Sequence, residues 1–296
     1  MRNATWFLMF AAASAYAAET PQLIPVNALA AAAVVDGDVK EWGSSGWTKV
    51  AIQPAVNSAD RAKLGLEADD KNVTGSLSMQ VKAGVHQDRL YLALRWPDSS
   101  QDTEYKGWDW TGVKYTESSK RDDMLALRFG MDGEFDRSML SGKTYKVDVW
   151  LWSAARTNPS GLAEDWVHMV SSKPIDDAAE YEVKGVGMVY IKKIRDAGSP
   201  VYRSVRPPKE KGAARVPSFE LLPNPSGSVA DVAAKATWKA GNWNLELSRK
   251  LNTGNPDDVV FRSGAKVQAQ LAVFNRGSDE NKSISEPLLL DFTAVK

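Results

Sequence analysis

Apolar and polar residues alternate along most of this chain. Leu90, Leu92, Leu94 and Trp96 fall on one side of a period-2 segment, with Tyr91, Ala93 and Arg95 on the other. Tyr145, Val147, Val149 and Leu151 alternate with Lys146, Asp148, Trp150 and Trp152. Trp243, Leu245 and Leu247 alternate with Asn244, Glu246 and Ser248, and Val267, Ala269, Leu271 and Val273 repeat the spacing near the end. Period 2 is the signature of a pleated strand, whose successive side chains leave opposite faces. Turn signals separate these runs: Asp36-Gly37-Asp38, Gln87-Asp88, Ala240-Gly241-Asn242 and Asn255-Pro256-Asp257-Asp258. The pattern predicts an all-β chain, an antiparallel β-sandwich with a few short helices and long loops.

Helical spacing is scarce. Ala28 to Ala33 is rich in alanine but runs directly into Val34-Val35-Asp36-Gly37. Ser160 to Val170 reads as a short helix, with Ser160 as its cap and Glu164-Asp165 in the first turns. Residues 195–228 contain Pro200, Pro207, Pro208, Pro217, Pro223 and Pro225, together with Arg203, Arg206, Lys209, Lys211 and Arg215. That stretch reads as a long irregular loop or insertion. With no internal repeat and no clear linker, residues 18–296 are expected to form a single domain.

The N-terminus reads as a secretory signal over residues 1–17. Arg2 supplies the charge, Trp6 to Ala13 the apolar stretch, and Ala15-Tyr16-Ala17 the small-x-small cleavage site. Nothing later approaches 18 consecutive apolar residues, so no membrane span is expected after cleavage. The expected destination is a bacterial periplasm. Lys plus Arg and Asp plus Glu each number 37, giving zero formal net charge and no basic stripe for nucleic acid. There is no cysteine. Disulfides, thiolate iron–sulfur ligation and covalent haem attachment are thereby excluded.

Four segments carry a resemblance that spans most of the chain. They are Val35-Asp36-Gly37-Asp38-Val39-Lys40-Glu41-Trp42, Arg89 to Asp98, Val147-Asp148-Val149-Trp150-Leu151-Trp152 with Ala155 to Asp165, and Gly241 to Leu251. They lead to the terminal Lys282-Ser283-Ile284-Ser285. In order and spacing they resemble the haem-binding domain of the ethylbenzene dehydrogenase gamma-subunit family. The first segment is also shared with DOMON-like and carbohydrate-module sandwiches. The resemblance implies one non-covalent haem b, held through a Met and a Lys. The Lys carries over to Lys282. The Met carries over to Met139, in Ser138-Met139-Leu140-Ser141-Gly142 where the family usually has Met-Gly-Asp, with Met131, Met169 and His168 as fallbacks. One of Trp150 and Trp152 is expected to touch the porphyrin and the other to pack in the core. Ser153 stands where relatives often carry Lys.

To ligate iron, Lys282 must lose a proton. From a reference pKa of ~10.4, neutralisation at pH 7 costs roughly 4.6 kcal/mol, which burial and coordination must exceed. With both axial positions filled the centre moves electrons and does no bond chemistry. The resemblance therefore implies a non-catalytic relay, the gamma-type subunit of a DMSO reductase-family molybdoenzyme. Its partners would be an iron–sulfur beta subunit, a molybdopterin alpha subunit and a soluble cytochrome or other redox carrier. Two other readings fit the residues. One is a carbohydrate-binding module in which some of the 11 Trp form a stacking platform. The other is a stand-alone haem protein serving a multihaem cytochrome. The paired acids Asp69-Asp70, Asp122-Asp123, Asp176-Asp177 and Asp257-Asp258 read as solvated or capping groups, with calcium as the alternative.

Overall fold

A computed structural model describes residues 21–56, 61, 72–277 and 281–295. The signal sequence 1–17 and Asp69-Asp70 lie outside these residues. Fourteen strands form the main body: β1 (Gln22–Ala28), β2 (Thr48–Pro54), β3 (Leu77–His86), β4 (Arg89–Pro97), β5 (Met124–Asp132), β6 (Tyr145–Ser153) and β7 (Leu162–Ser171), then β8 (Ala179–Val183), β9 (Gly187–Arg195), β10 (Val232–Lys239), β11 (Asn242–Lys250), β12 (Lys266–Phe274), β13 (Ser283–Ile284) and β14 (Leu288–Asp291). Apart from Arg61, helix among the described residues is confined to three short 3-10 turns. The mainly β expectation holds.

The strands form a closed circuit. One layer runs β2-β3-β4-β11-β10, and the other runs β12-β5-β6-β7 and continues into β9-β8. At one edge β10 pairs with β7, and at the other β2 reaches β12 through β13. The two faces of the expected sandwich are thus hydrogen-bonded together into a barrel, which leaves fewer open edges. β1 is the exception to antiparallel order, lying parallel to both β14 and β3.

Alternation decides what enters the barrel. Leu125, Leu127 and Phe129 of β5, Trp150 and Trp152 of β6, Trp243, Leu245 and Leu247 of β11, and Ala269, Leu271 and Val273 of β12 fill the core. Trp96, Trp152 and Trp243 form a triangle with ring centroids 5.0–6.4 Å apart. Each such fully buried ring contributes about 2–3 kcal/mol of apolar transfer free energy. The inner row of β11 ends in a charge: Arg249, fully buried, crosses the barrel to Asp148 of β6 (2.7 Å) and Asp165 of β7 (2.8 Å). It also donates to the Val259 carbonyl (2.8 Å).

Two expectations are corrected. Ser160 to Val170 is not a helix: a 3-10 turn at Asn158–Ser160 leads into β7. Ala163, Asp165 and Val167 alternate with Trp166, His168 and Val170, a period-2 order that pairing with β6 and β9 enforces. Asp165 is the buried partner of Arg249, not a first-turn acid. The expectation for residues 195–228 is corrected in part: most of the stretch is loop, but short strands punctuate it. Gly198–Ser199 pairs with Ser226–Gly227, Tyr202–Ser204 with Phe219–Leu221, and Arg215–Val216 with Trp108–Trp110. The prolines, lacking N–H, cut this excursion into strands of two or three residues without dissolving it.

The opening segment is fastened to β11. Glu246 accepts from Trp42 Nε1 (2.7 Å), the Gly37 N–H (2.9 Å) and the Asp36 N–H (3.2 Å). A Cβ at Gly37 would lie 2.9 Å from the Ala236 carbonyl carbon, at φ +83°, so only glycine fits.

Candidate functional site

Met139 lies in the connection 133–144 between β5 and β6. The neck of this connection is tight: Gly133 has φ +69°, and a Cβ there would meet the Thr144 carbonyl oxygen at 2.6 Å. The chain then folds back over the outer face of the sheet. The Phe135 N–H donates to Gln268 Oε1 (3.0 Å), Gln270 Nε2 donates to the Arg137 carbonyl (3.1 Å), and Arg128 Nη2 donates to the Asp136 carbonyl (2.7 Å). Met139 and Leu140 come down half-buried on an outer apolar cluster that includes Ala126, Tyr145, Val147 and Val149.

Lys282 directly precedes β13. Its carbonyl accepts the Ala55 N–H (2.9 Å) and Asn72 Nδ2 (3.1 Å). Arg137, two residues before Met139, donates to the carbonyls of Pro54 (2.8 Å) and Ala55 (3.1 Å) and pairs with Glu286 (2.9 Å). One residue, Ala55, is therefore hydrogen-bonded to both segments, and the fold brings the Met139 and Lys282 segments to the same end of the same sheet. Lys282 is half-buried, with Nζ 5.6 Å from the Phe274 ring centroid. Phe274 follows the core residue Val273 and so belongs to the outer face, as the Met139 cluster does.

Between them runs a row of short side chains. Ala272 of β12, Ala126 of β5 and Leu151 of β6 stand in register, each half-buried and each flanked by core residues that point the other way. This gives a shallow apolar floor. The next row, Phe274, Met124 and Ser153, is covered. Arg156 Nη2 donates to Met124 Sδ (2.6 Å), and its guanidinium lies 3.9 Å from the Tyr105 ring centroid and pairs with Asp122 (3.4 Å). Ser153 also bonds to Asp122. Arg156 thus places a cation beside Ser153, to whose Oγ its Nε donates (3.1 Å).

The hairpin that presents Lys282 is clamped at its other end. The Arg276 N–H donates to Asp123 Oδ1 (3.2 Å) and Asn275 Nδ2 to Asp98 Oδ1 (3.0 Å). Asp123 also accepts from Trp243 Nε1 (3.1 Å), and burial pushes its carboxyl up to about 7, with backbone donors opposing. The paired acids Asp122-Asp123 are buried positioning groups, not solvated ones.

Trp150 and Trp152 take no part in this surface. Both are fully buried and face inward, Trp150 against Phe129 and Phe261, Trp152 against Trp96 and Trp243. Both expected porphyrin neighbours thus face the core, and on β6 it is Leu151, one residue over, that reaches the outer face. The fallback ligands lie elsewhere. Met131 packs against the inner core near the far end of β5. His168 sits opposite Val147, whose row includes Gln268, four residues from Ala272 and so roughly 13 Å along the sheet. Met169 is opposite Lys146 and Lys192.

As a donor set, one thioether, one amine and an apolar floor fit an iron porphyrin. Neither Lys282 nor Met139 lines the cavity of about 320 Å³ beside Arg249 and Asp231 or the groove of about 410 Å³ beside Trp42 and Ala30. The floor residues Ala126 and Ala272 and the tether Arg137 carried no signal in the sequence. Only the register of three strands reveals them.

A family model described as ethylbenzene dehydrogenase matches residues 44–285, a span that includes both Met139 and Lys282. Among curated proteins, none matches the chain significantly.

Proposed function

The chain belongs to the ethylbenzene dehydrogenase family, and from that premise we propose that it is a haem b-holding electron-transfer subunit of a DMSO reductase-type molybdoenzyme complex. The observation that carries the reading is the convergence of the Met139 and Lys282 segments on Ala55, either side of the Ala126–Ala272–Leu151 floor. Haem, when bound, supplies a one-electron carrier. Met139 would offer its thioether, which favours the ferrous state, and Lys282 its deprotonated amine. Ala126, Ala272 and Leu151 would leave room for the macrocycle and keep water from it. With Met139 and Lys282 both holding the iron, no site would be left for substrate, and the subunit would do no bond chemistry. Its proposed partners are an iron–sulfur beta subunit, a molybdopterin alpha subunit and a soluble cytochrome or similar carrier. The N-terminal signal pattern supports export to the periplasm. Among the described residues, no helix is long and apolar enough to cross a membrane.

The core positions of Trp96, Trp150, Trp152 and Trp243 support the haem reading over a carbohydrate platform, since none of these four rings is offered to a ligand outside the barrel. The experiment that tests the proposal is reconstitution of the purified, folded chain with haem. One tightly held haem per chain, reducible and then reoxidised by a soluble cytochrome, is the expected result. A folded chain that remains haem-free, or that retains on polysaccharide instead, overturns it.

A further inference from the structure

A second polar centre lies at the opposite end of the inner row of β11 and is independent of the haem reading. Arg249 there serves three buried carboxylates, Asp148, Asp165 and, at 3.2 Å, Asp258. Asp196, Asp257 and Asp231 crowd the same place. Arg249 thus faces more acids than one guanidinium neutralises. Hydrogen bonds arrange part of the cluster. Ser228 Oγ bridges Asp257 Oδ1 (3.0 Å) and Asp258 Oδ1 (3.1 Å), the Ala197 N–H reaches Asp257 Oδ2 (3.3 Å), and Asn255 Nδ2 donates to Asp258 Oδ2 (3.0 Å).

Asp196 is the exception. It is only 7% exposed, yet neither of its carboxylate oxygens has a hydrogen-bond partner. An oxygen of Asp196 lies within 4.8 Å of oxygens of both Asp257 and Asp258. Leaving a buried carboxylate without donors costs several kcal/mol unless a cation or a proton compensates it. Its carboxyl is indeed pushed up to about 8, by burial first and then by the charges of Asp257, Asp148 and Asp258. Asp231 is raised to about 7 by burial and Asp258.

We propose that Asp196, Asp257 and Asp258 form a calcium site that fastens the 195–228 excursion to the barrel. The donors are all oxygens, which selects a hard cation over zinc or copper. Three carboxylates on two separate loop segments suit the larger, geometrically tolerant calcium better than magnesium, which demands a near-ideal octahedron and keeps its waters. Asp196 closes β9, Ser228 begins the 3-10 turn that ends the excursion, and Asp257-Asp258 sits between β11 and β12. An ion held here would tie both ends of the excursion to the loop that Arg249 anchors.

The test is calcium titration of the full chain after chelator treatment, by calorimetry and by thermal melting, with magnesium as comparison. One calcium per chain is expected. At calcium ~100-fold above its Kd, the Tm should rise by about 4–6 °C. Magnesium at the same concentration should give less than half that rise. Asp196→Asn and Asp257→Asn should each lose the calcium response, whereas Glu182→Gln, on the exposed face of β8, should keep it. A folded wild-type chain with neither calcium heat nor a Tm rise overturns the proposal. So does an Asp196→Asn chain that responds in full. Should the variants fail to fold, the wild-type titration alone decides. Haem loading is not measured in any arm, so this site and the haem reading fail separately.

Discussion

At the scale of the residue, the barrel departs from apolar packing where it is most buried. Arg249 continues the row Trp243, Leu245 and Leu247, and it meets Asp148 in the run Val147 to Trp152 and Asp165 in the run Ala155 to Asp165. Motif residues that carry the family resemblance therefore build a bolt between the layers, while Leu151 in the same run faces outward. Removing one partner of a buried ion cluster leaves charge uncompensated. Arg249→Met should cost about 3–5 kcal/mol in urea unfolding, and a cost under 1 kcal/mol would show that the cluster is protonated and self-sufficient. Glu246 gives a test with a sign. Burial pushes its carboxyl to about 7, against donors from Trp42 and Gly37. A group with a raised folded pKa binds its proton more tightly when folded, so its contribution is full below the unfolded value of ~4.3 and is lost as pH rises toward 7. Glu246→Gln should thus cost more stability at pH 5 than at pH 8. A cost that is constant or grows with pH contradicts the assignment.

At the scale of the element, alternation was legible in the sequence, and with it the strands β4, β6, β11 and β12. It failed at β7, where Ser160, Glu164 and Asp165 mimic a capped helix start. Partners far away in sequence decided the outcome there, β6 and β9 on either side and Arg249 across the barrel. Lys282 and Met139 could be singled out only through resemblance, since nothing local distinguishes either from a solvated Lys or a packing Met. The sequence also could not say which face of β6 matters: Trp150 and Trp152 attract attention, but the outer residue is Leu151. Two substitutions separate the faces. Ala126→Trp fills the floor from the outside, and it should abolish haem loading while the thermal transition stays cooperative. Trp152→Ala opens a core cavity and should cost about 3–5 kcal/mol, yet a chain still folded should load one haem. The opposite pattern, checked by haem stoichiometry and urea melts, would move the haem face to the interior.

At the scale of the whole molecule, closure of the two layers into one circuit joins two polar ends. At one, Asp123 and Asp98 clamp the hairpin that presents Lys282, and Arg137 ties the Met139 connection to β2. At the other, Arg249 and its acids gather the 195–228 excursion. Closure was not readable from strand patterning, because the short β13 and the lone parallel β1 carry it, and neither shows a long alternating run. The rigid circuit gives two loop segments, 143 residues apart in sequence, a fixed spacing across three alanine- and leucine-faced strands. The most direct test is the absorption spectrum of the haem-loaded chain, oxidised and then reduced with dithionite, compared between wild type and Lys282→Ala. A six-coordinate low-spin b-type spectrum in the wild type, turning high-spin in Lys282→Ala without loss of folding, is the predicted result. An unchanged low-spin spectrum in the variant would contradict the central claim and place the ligands elsewhere.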